Sequence, residues 1–104
     1  MIVTAWNNGS WKNTGAGYGI RISIEDRDRH FRPEWESVII ILEDREVDVK
    51  LSRSFWNKCP ELRSKEIGKW LIKNGLGRWP KGNPPKFKLE QVGDRKFKLS
   101  LIKE

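Results

Sequence analysis

The stretch from Ser64 to Lys88 leaves this chain few choices, because it joins one amphipathic helix to a stiff, basic, Trp-bearing loop. With Ser64 as cap, Ile67, Trp70 and Leu71 follow the three-and-four spacing that gathers apolar side chains on one face. Lys65, Lys69 and Lys73 recur every four residues on the other. Asn74-Gly75 supplies a left-handed stop, and Lys73 suits the negative end of the helix dipole. Beyond it, Trp79-Pro80 and Asn83-Pro84-Pro85 hold the backbone extended, so Arg78, Lys81 and Lys86 sit on a segment with little freedom to lose.

A chain of 104 residues reads as one domain, long enough to bury a core without staples. That core must be economical, since 37% of residues are apolar and 34% are charged. The six Trp and four Phe therefore carry much of the buried area. One cysteine, Cys59, excludes an internal disulfide and any cysteine-rich zinc site, which makes a reducing, cytoplasmic setting the default. Met1 to Asn8 has neither the basic start nor the apolar run of a signal peptide, and no segment has membrane-spanning length. No membrane association is expected.

Net charge is +7 and unevenly placed: residues 1–50 hold seven Lys/Arg against nine Asp/Glu, the remainder 14 against five. The first part is thus −2 and the second +9, the pattern expected if one face meets a polyanion.

In chain order, Ile2 to Trp6 suits a short strand ended by Asn7-Asn8-Gly9-Ser10. From Trp6 to Gly19, aromatic and Asn side chains alternate with glycines, as in a wide hairpin loop whose aromatics pack back on the sheet, or in a loop that binds a ligand. Gly15-Ala16-Gly17-Tyr18-Gly19 is no phosphate loop, because it lacks the P-loop lysine and leads into a strand. Ile20, Ile22 and Ile24 alternate with polar residues as a half-buried strand, and Glu25 to His30 reads as a self-neutralising, solvated loop. His30 beside Asp26 and Asp28 is the one imaginable acid/base pair, with no nucleophile in view.

Val38 to Leu42 suggests a central strand covered on both faces, and Val47, Val49 and Leu51 an antiparallel return with one wet face. Asp48-Val49-Lys50 has the acid-x-Lys spacing found on strands of metal-dependent nucleases, with Asp26, Asp28 or Asp44 as upstream acids. A solvated strand face is the better reading, since such nucleases place a helix before the sheet and this sequence shows none there. Ser52 to Trp56 suggests a short helical or irregular piece, Cys59 a small buried side chain, and Pro60 to Arg63 a separate turn. At the C-terminus a hairpin turning at Gly93-Asp94 puts Phe87, Leu89, Phe97, Leu99 and Leu101 inside and Lys86, Lys88, Lys96 and Lys98 together outside. Four lysines on neighbouring strands repel one another, and a phosphate backbone would relieve that repulsion.

Ile67-Gly68-Lys69-Trp70-Leu71-Ile72-Lys73-Asn74-Gly75-Leu76, followed by Lys86-Phe87-Lys88-Leu89 and Phe97-Lys98-Leu99, resembles the DNA-binding pseudobarrels of plant transcription factors and the effector-binding modules of some restriction enzymes. The resemblance covers about a third of the chain and implies a barrel-like sheet that binds DNA through strands and loops. A Pro-rich loop stands here in place of a tight turn, and no base-contacting residue carries over. Ala5 to Gly9, Gly15 to Gly19 and Trp79 to Pro85 also look like parts of small prokaryotic proteins of unknown function.

These readings converge on an α+β domain, a curved antiparallel sheet or partial barrel of about six strands with one main helix packed across it. Function reads first as nucleic-acid binding without catalysis, DNA ahead of RNA, through Lys65, Lys69, Lys73, Arg78, Trp79, Lys81, Lys86, Lys88, Lys96 and Lys98. Trp79 is either a stacking platform or a plug pinning its loop near Ile72. The alternatives are a protein-interaction subunit using exposed Trp and the Pro-rich loop, a small nuclease built on Asp48 and Lys50, and a carbohydrate-binding N-terminal loop. No cofactor or metal is required by the first.

Overall fold

The computed structural model describes residues 1–102 and shows a seven-stranded, nearly closed, barrel-like sheet with two α-helices. In chain order these are β1 (Ile2–Asn7), β2 (Tyr18–Arg21), α1 (Ile24–His30), β3 (Ser37–Leu42), β4 (Arg45–Lys50), a 3-10 turn (Arg53–Trp56), β5 (Glu61–Arg63), α2 (Lys65–Lys73), β6 (Lys86–Gly93) and β7 (Lys96–Leu101). The strand order is β4-β3-β7-β6-β1-β2-β5, and the end strands β4 and β5 approach each other without pairing. Neither helix is long and apolar enough to cross a membrane.

The helix anticipated from Ser64 forms as its residues dictate. Ser64 Oγ accepts from the amides of Glu66 and Ile67, satisfying two of the free donors of the first turn. Asn74 Nδ2 donates to the Trp70 carbonyl at 2.7 Å, and Gly75 takes the left-handed conformation (φ 73°) that stops the helix. Ile67, Trp70 and Leu71 are buried, with Trp70 edge-on to Phe87 at 5.4 Å. Because Phe87 points inward, α2 closes the inner side of the sheet and leaves Lys65, Lys69 and Lys73 exposed.

Several expectations are corrected. The sheet is not wholly antiparallel: β7 pairs with β6 antiparallel but with β3 parallel, Ile40 opposite Phe97. Period-two patterning shows which face a residue takes, not which strand lies beside it. Residues 25–30, expected as a loop, form α1, because Ser23 Oγ caps the Asp26 amide at 3.0 Å and Glu25 pairs with Arg29 one turn on. Ile24 accordingly leaves the strand and lies 47% exposed at the start of α1. The one buried residue of α1 is Arg27, whose Nη1 donates to the carbonyls of Phe55 (3.1 Å) and Asn57 (2.6 Å). This fixes the 3-10 turn to the helix.

Residues 61–63, expected as a turn, are β5, which pairs with β2 and buries Leu62 completely. In β3 only Val38, Ile40 and Leu42 are buried. Ile39 and Ile41 are half-covered, because a near-closed sheet has one interior and their outer-face neighbours are Lys96 with Asp48 and Lys98 with Glu46. Leu101 is 45% exposed, since β3 ends at Leu42 opposite Leu99 and offers β7 no further neighbour. Cys59, expected inside, is exposed in the segment between the 3-10 turn and β5. The C-terminal hairpin turns one residue later than expected, at Asp94-Arg95, with Arg95 at φ 56° and an irregularity between Gln91 and Gly93.

Candidate nucleic-acid interface

The ten basic and aromatic positions singled out above do not share one surface. Lys69 and Lys73 lie on the exposed face of α2, on the inner side of the sheet, and Lys65, at the first turn of α2, lines a pocket with Arg63 and Trp6, while Lys86, Lys88 and Lys98 point from the outer side. The helix stripe is also partly neutralised, Lys73 lying 3.3 Å from Glu43 and Lys69 3.7 Å from Glu66. Lys81 stands exposed in the Pro-rich loop.

Trp79 is half-buried and packs edge-on against Trp11 (4.7 Å) and Tyr18 (6.3 Å), and Arg78 lies 5.7 Å over the Trp11 ring. The Tyr18 hydroxyl donates to the Gly77 carbonyl, and burial pushes that phenol above its ordinary range, with Arg78 drawing it back. Trp79 is thus packed as a plug would be, against Trp11 of the β1–β2 loop and Tyr18 of β2. Trp79→Ala should cost about 2 kcal/mol, below the 3 to 5 of a wholly buried indole, and leave oligonucleotide affinity unchanged. Urea unfolding and a binding titration on the same preparation check this; weakened binding at unchanged stability would return Trp79 to the role of stacking platform.

The crowding expected of the hairpin lysines is also corrected. Lys98 faces Glu90 and Lys88 faces Ser100 across the strands, while Lys96 reaches Glu46 of β4 at 3.1 Å. Of the four hairpin lysines, Lys86, Lys88 and Lys98 make no ion pair among the described residues. Their repulsion is thus small, and the case for this face rests on what continues it.

Following the outer face from β6 through β1 to β2 and β5, Lys86, Thr4, Arg21 and Glu61 stand in one cross-strand row. The next row is Trp6, Gly19 and Arg63. Glu61 is a carboxylate with a side chain only 2% exposed, a placement tolerable only when it is paired and hydrogen-bonded. Arg21 meets its Oε2 through Nη2 (3.1 Å) and Nε (3.2 Å), and Arg63 meets its Oε1 at 2.9 Å. Gly19 has no side chain between Arg63 and β1, so the Arg63 guanidinium lies across the gap, 4.7 Å over the Trp6 ring. A Cβ at Gly19 would come within 2.3 Å of the Leu62 carbonyl, so β5 can close on β2 only at a glycine.

Both arginines are half-exposed, Arg21 held through two nitrogens and Arg63 through one by the same buried acid. This chain matches no family model, no curated protein and no solved structure. The arrangement must accordingly be understood from its own chemistry. Trp6 opens the loop that the sequence offers as a possible ligand site, whereas Arg21, Glu61 and Arg63 carry no such mark; their one signal is the period-two pattern Glu61-Leu62-Arg63, too short to stand out between Pro60 and Ser64.

The residues weighed for catalysis are dispersed. Asp48 and Lys50 point outward from β4 into a groove of about 600 Å³ with Trp35, Trp56 and Arg53. Asp26 and Asp28 lie on α1, the latter bonded to Arg27 at 3.0 Å, and Asp44 is in the β3–β4 turn. Among the described residues, no group of three or more His, Cys, Asp or Glu is placed to hold a metal ion. All six Trp are at least partly buried, and the exposed large apolar side chains are Ile2, Ile24, Val92, Leu101 and Ile102.

Proposed function

We propose that this protein is a nucleic-acid-binding module without catalysis, and that it binds through the outer face of β7, β6, β1, β2 and β5. One observation carries this reading: Arg21 and Arg63 are fixed by the buried Glu61 beside Trp6, in line with Lys86 and the neighbouring Lys88 and Lys98. Five strands at about 4.8 Å spacing make this band roughly 19 Å across. Phosphate contacts supply affinity from fixed arginine forks and mobile lysines, and an aromatic ring supplies a stacking surface for bases. Glu90 and the Lys96–Glu46 pair mark the side where the positive band weakens. DNA stands ahead of RNA on the resemblance of the second half to DNA-binding pseudobarrels.

The test is the salt dependence of oligonucleotide affinity. Replacing Lys86, Lys88 and Lys98 by Gln should flatten the log-log slope by roughly 2 to 3, since each phosphate neutralised contributes about −0.9 on duplex and −0.7 on single strands. Lys69→Gln with Lys73→Gln, on the other side of the sheet, should leave it unchanged. A slope that responds to the helix pair and ignores the hairpin triple would move the interface to α2, and affinity indifferent to salt would end the proposal.

A further inference from the structure

Beside the fixed arginines the surface opens into a pocket of about 520 Å³, bounded by Trp6 and Asn8 at the end of β1, Ala16 and Gly17 of the β1–β2 loop, Tyr18, and Arg63 to Lys65. Its size falls within the roughly 300 to 1,000 Å³ of small-molecule sites. One wall is the Trp6 indole with the Arg63 guanidinium carbon 4.7 Å from its ring centroid, the guanidinium tied to Glu61 at 2.9 Å. Both groups are planar, and an unpaired nucleobase stacks on aromatic side chains and on guanidinium planes.

The remaining lining is polar. Asn8 Oδ1 is occupied by the Ser10 amide (3.0 Å) and hydroxyl (2.6 Å), which leaves the amide Nδ2 of Asn8 to donate. A Cβ at Gly17 would lie 2.6 Å from Asn8 Oδ1, so the loop is shaped around that side chain. Lys65, at the other lip, makes no ion pair among the described residues. The pocket thus combines an indole and a guanidinium for stacking, a hydrogen-bond donor and the Lys65 cation at its mouth.

We propose that this pocket receives one unpaired nucleobase of a single-stranded nucleic acid, stacked on the Trp6–Arg63 wall, with Lys65 and Arg21 on the flanking phosphates. The inference rests on the nucleic-acid reading above and adds the strandedness of the ligand. A base held in a duplex is stacked on both faces and paired along its edge, so it enters such a pocket only after an unstacking cost that a single strand avoids.

The experiment compares the wild-type protein, at one salt concentration, with a single-stranded oligodeoxynucleotide, its duplex, and a strand of the same length whose residues are abasic throughout. The normal single strand should bind about 5- to 150-fold tighter than the abasic one, the worth of one stacked base, and tighter than the duplex. Trp6→Ala should remove that advantage, and Trp6→Phe should keep most of it. The abasic comparison uses the unaltered protein, so it can overturn the proposal whatever Trp6→Ala does to folding, and the Trp6 variants tie the preference to this pocket. Equal affinity for normal and abasic strands, with a salt dependence intact, overturns the pocket and leaves the interface standing. Absence of salt-dependent binding to any strand overturns both. A ribonucleotide strand that outcompetes the deoxy strand would keep the pocket and assign it to RNA.

Discussion

Phe97→Ala should lower the free energy of unfolding by about 3 to 5 kcal/mol, the largest single loss expected in this chain. Phe97 is completely buried and sits at the middle of the sheet, opposite Ile40 of the parallel strand β3 and Gln91 of the antiparallel strand β6. Its ring stacks on Phe31 with centroids 4.7 Å apart and planes within 6°, and Trp35 meets it edge-on at 6.4 Å. Phe31 in turn touches Phe55, so this one ring links the sheet to the segment after α1 and to the 3-10 turn. A hole at that junction is bordered by separate elements and cannot be filled by the shift of any one, which puts the cost at the high end for a core truncation. Domains of this size hold only about 5 to 15 kcal/mol in total, so the urea midpoint should fall steeply with the slope of the transition preserved. A loss below about 1 kcal/mol would mean that the stack contributes little and that α1 is held chiefly by Arg27.

The same residues show why the sequence yields some elements and hides others. The helix α2 announces itself three times, through the Ser64 cap, the Ile67-Trp70-Leu71 face and the Asn74-Gly75 stop, and all three occur in the fold. Helix α1 has no apolar face to announce. Its signals are a capping serine and one Glu25–Arg29 pair, which are equally at home in a polar loop. The parallel β3–β7 pairing joins residues more than fifty positions apart and leaves no mark on the alternation of either strand. The apolar run of β3 suggested two covered faces, whereas its second face is shielded only in part, between longer side chains of β4 and β7.

For the interface, the sequence identifies the lysines but not what stands opposite them. That Lys98 faces Glu90, and that Lys96 is taken by Glu46 from another strand, are consequences of register and tertiary pairing. Arg21 and Glu61 are forty residues apart and meet only because β5 closes on β2. The charged part of the cluster that best supports binding is therefore out of reach of local patterning, since Arg21, Glu61 and Arg63 each alone read as an ordinary surface charge, and only Trp6 is marked, as the start of an aromatic, Gly-rich loop.

Gly68→Ala should destabilise the protein by about 3 kcal/mol, against the sign that helix propensity assigns to it. Gly68 is inside α2, where alanine is ordinarily worth about 1 kcal/mol more than glycine. Here a Cβ would lie 2.2 Å from the Gly15 carbonyl oxygen and 2.7 Å from the Gly15 Cα, because the β1–β2 loop lies directly on the helix. The obstacle is backbone on backbone, with no flexible side-chain tip to swing aside. Gly15 itself has φ 90° and would set its own Cβ 2.4 Å from the Lys65 carbonyl, so neither partner of the contact has room to yield. Overpacking of this kind costs about 1 to 3 kcal/mol when side chains can adjust, and the rigidity of both segments puts this case at the upper limit even after the propensity gain. Relief requires the loop to lift from α2, and that loop carries Asn8, Ala16 and Gly17 of the pocket as well as Trp11, against which Trp79 packs. Loss of stability and loss of preference for single strands over abasic strands should therefore arrive together in this variant, measured by urea unfolding and by titration. A variant as stable as the wild type, or more so, would show that the loop is not seated on α2 and that the pocket lacks its second wall.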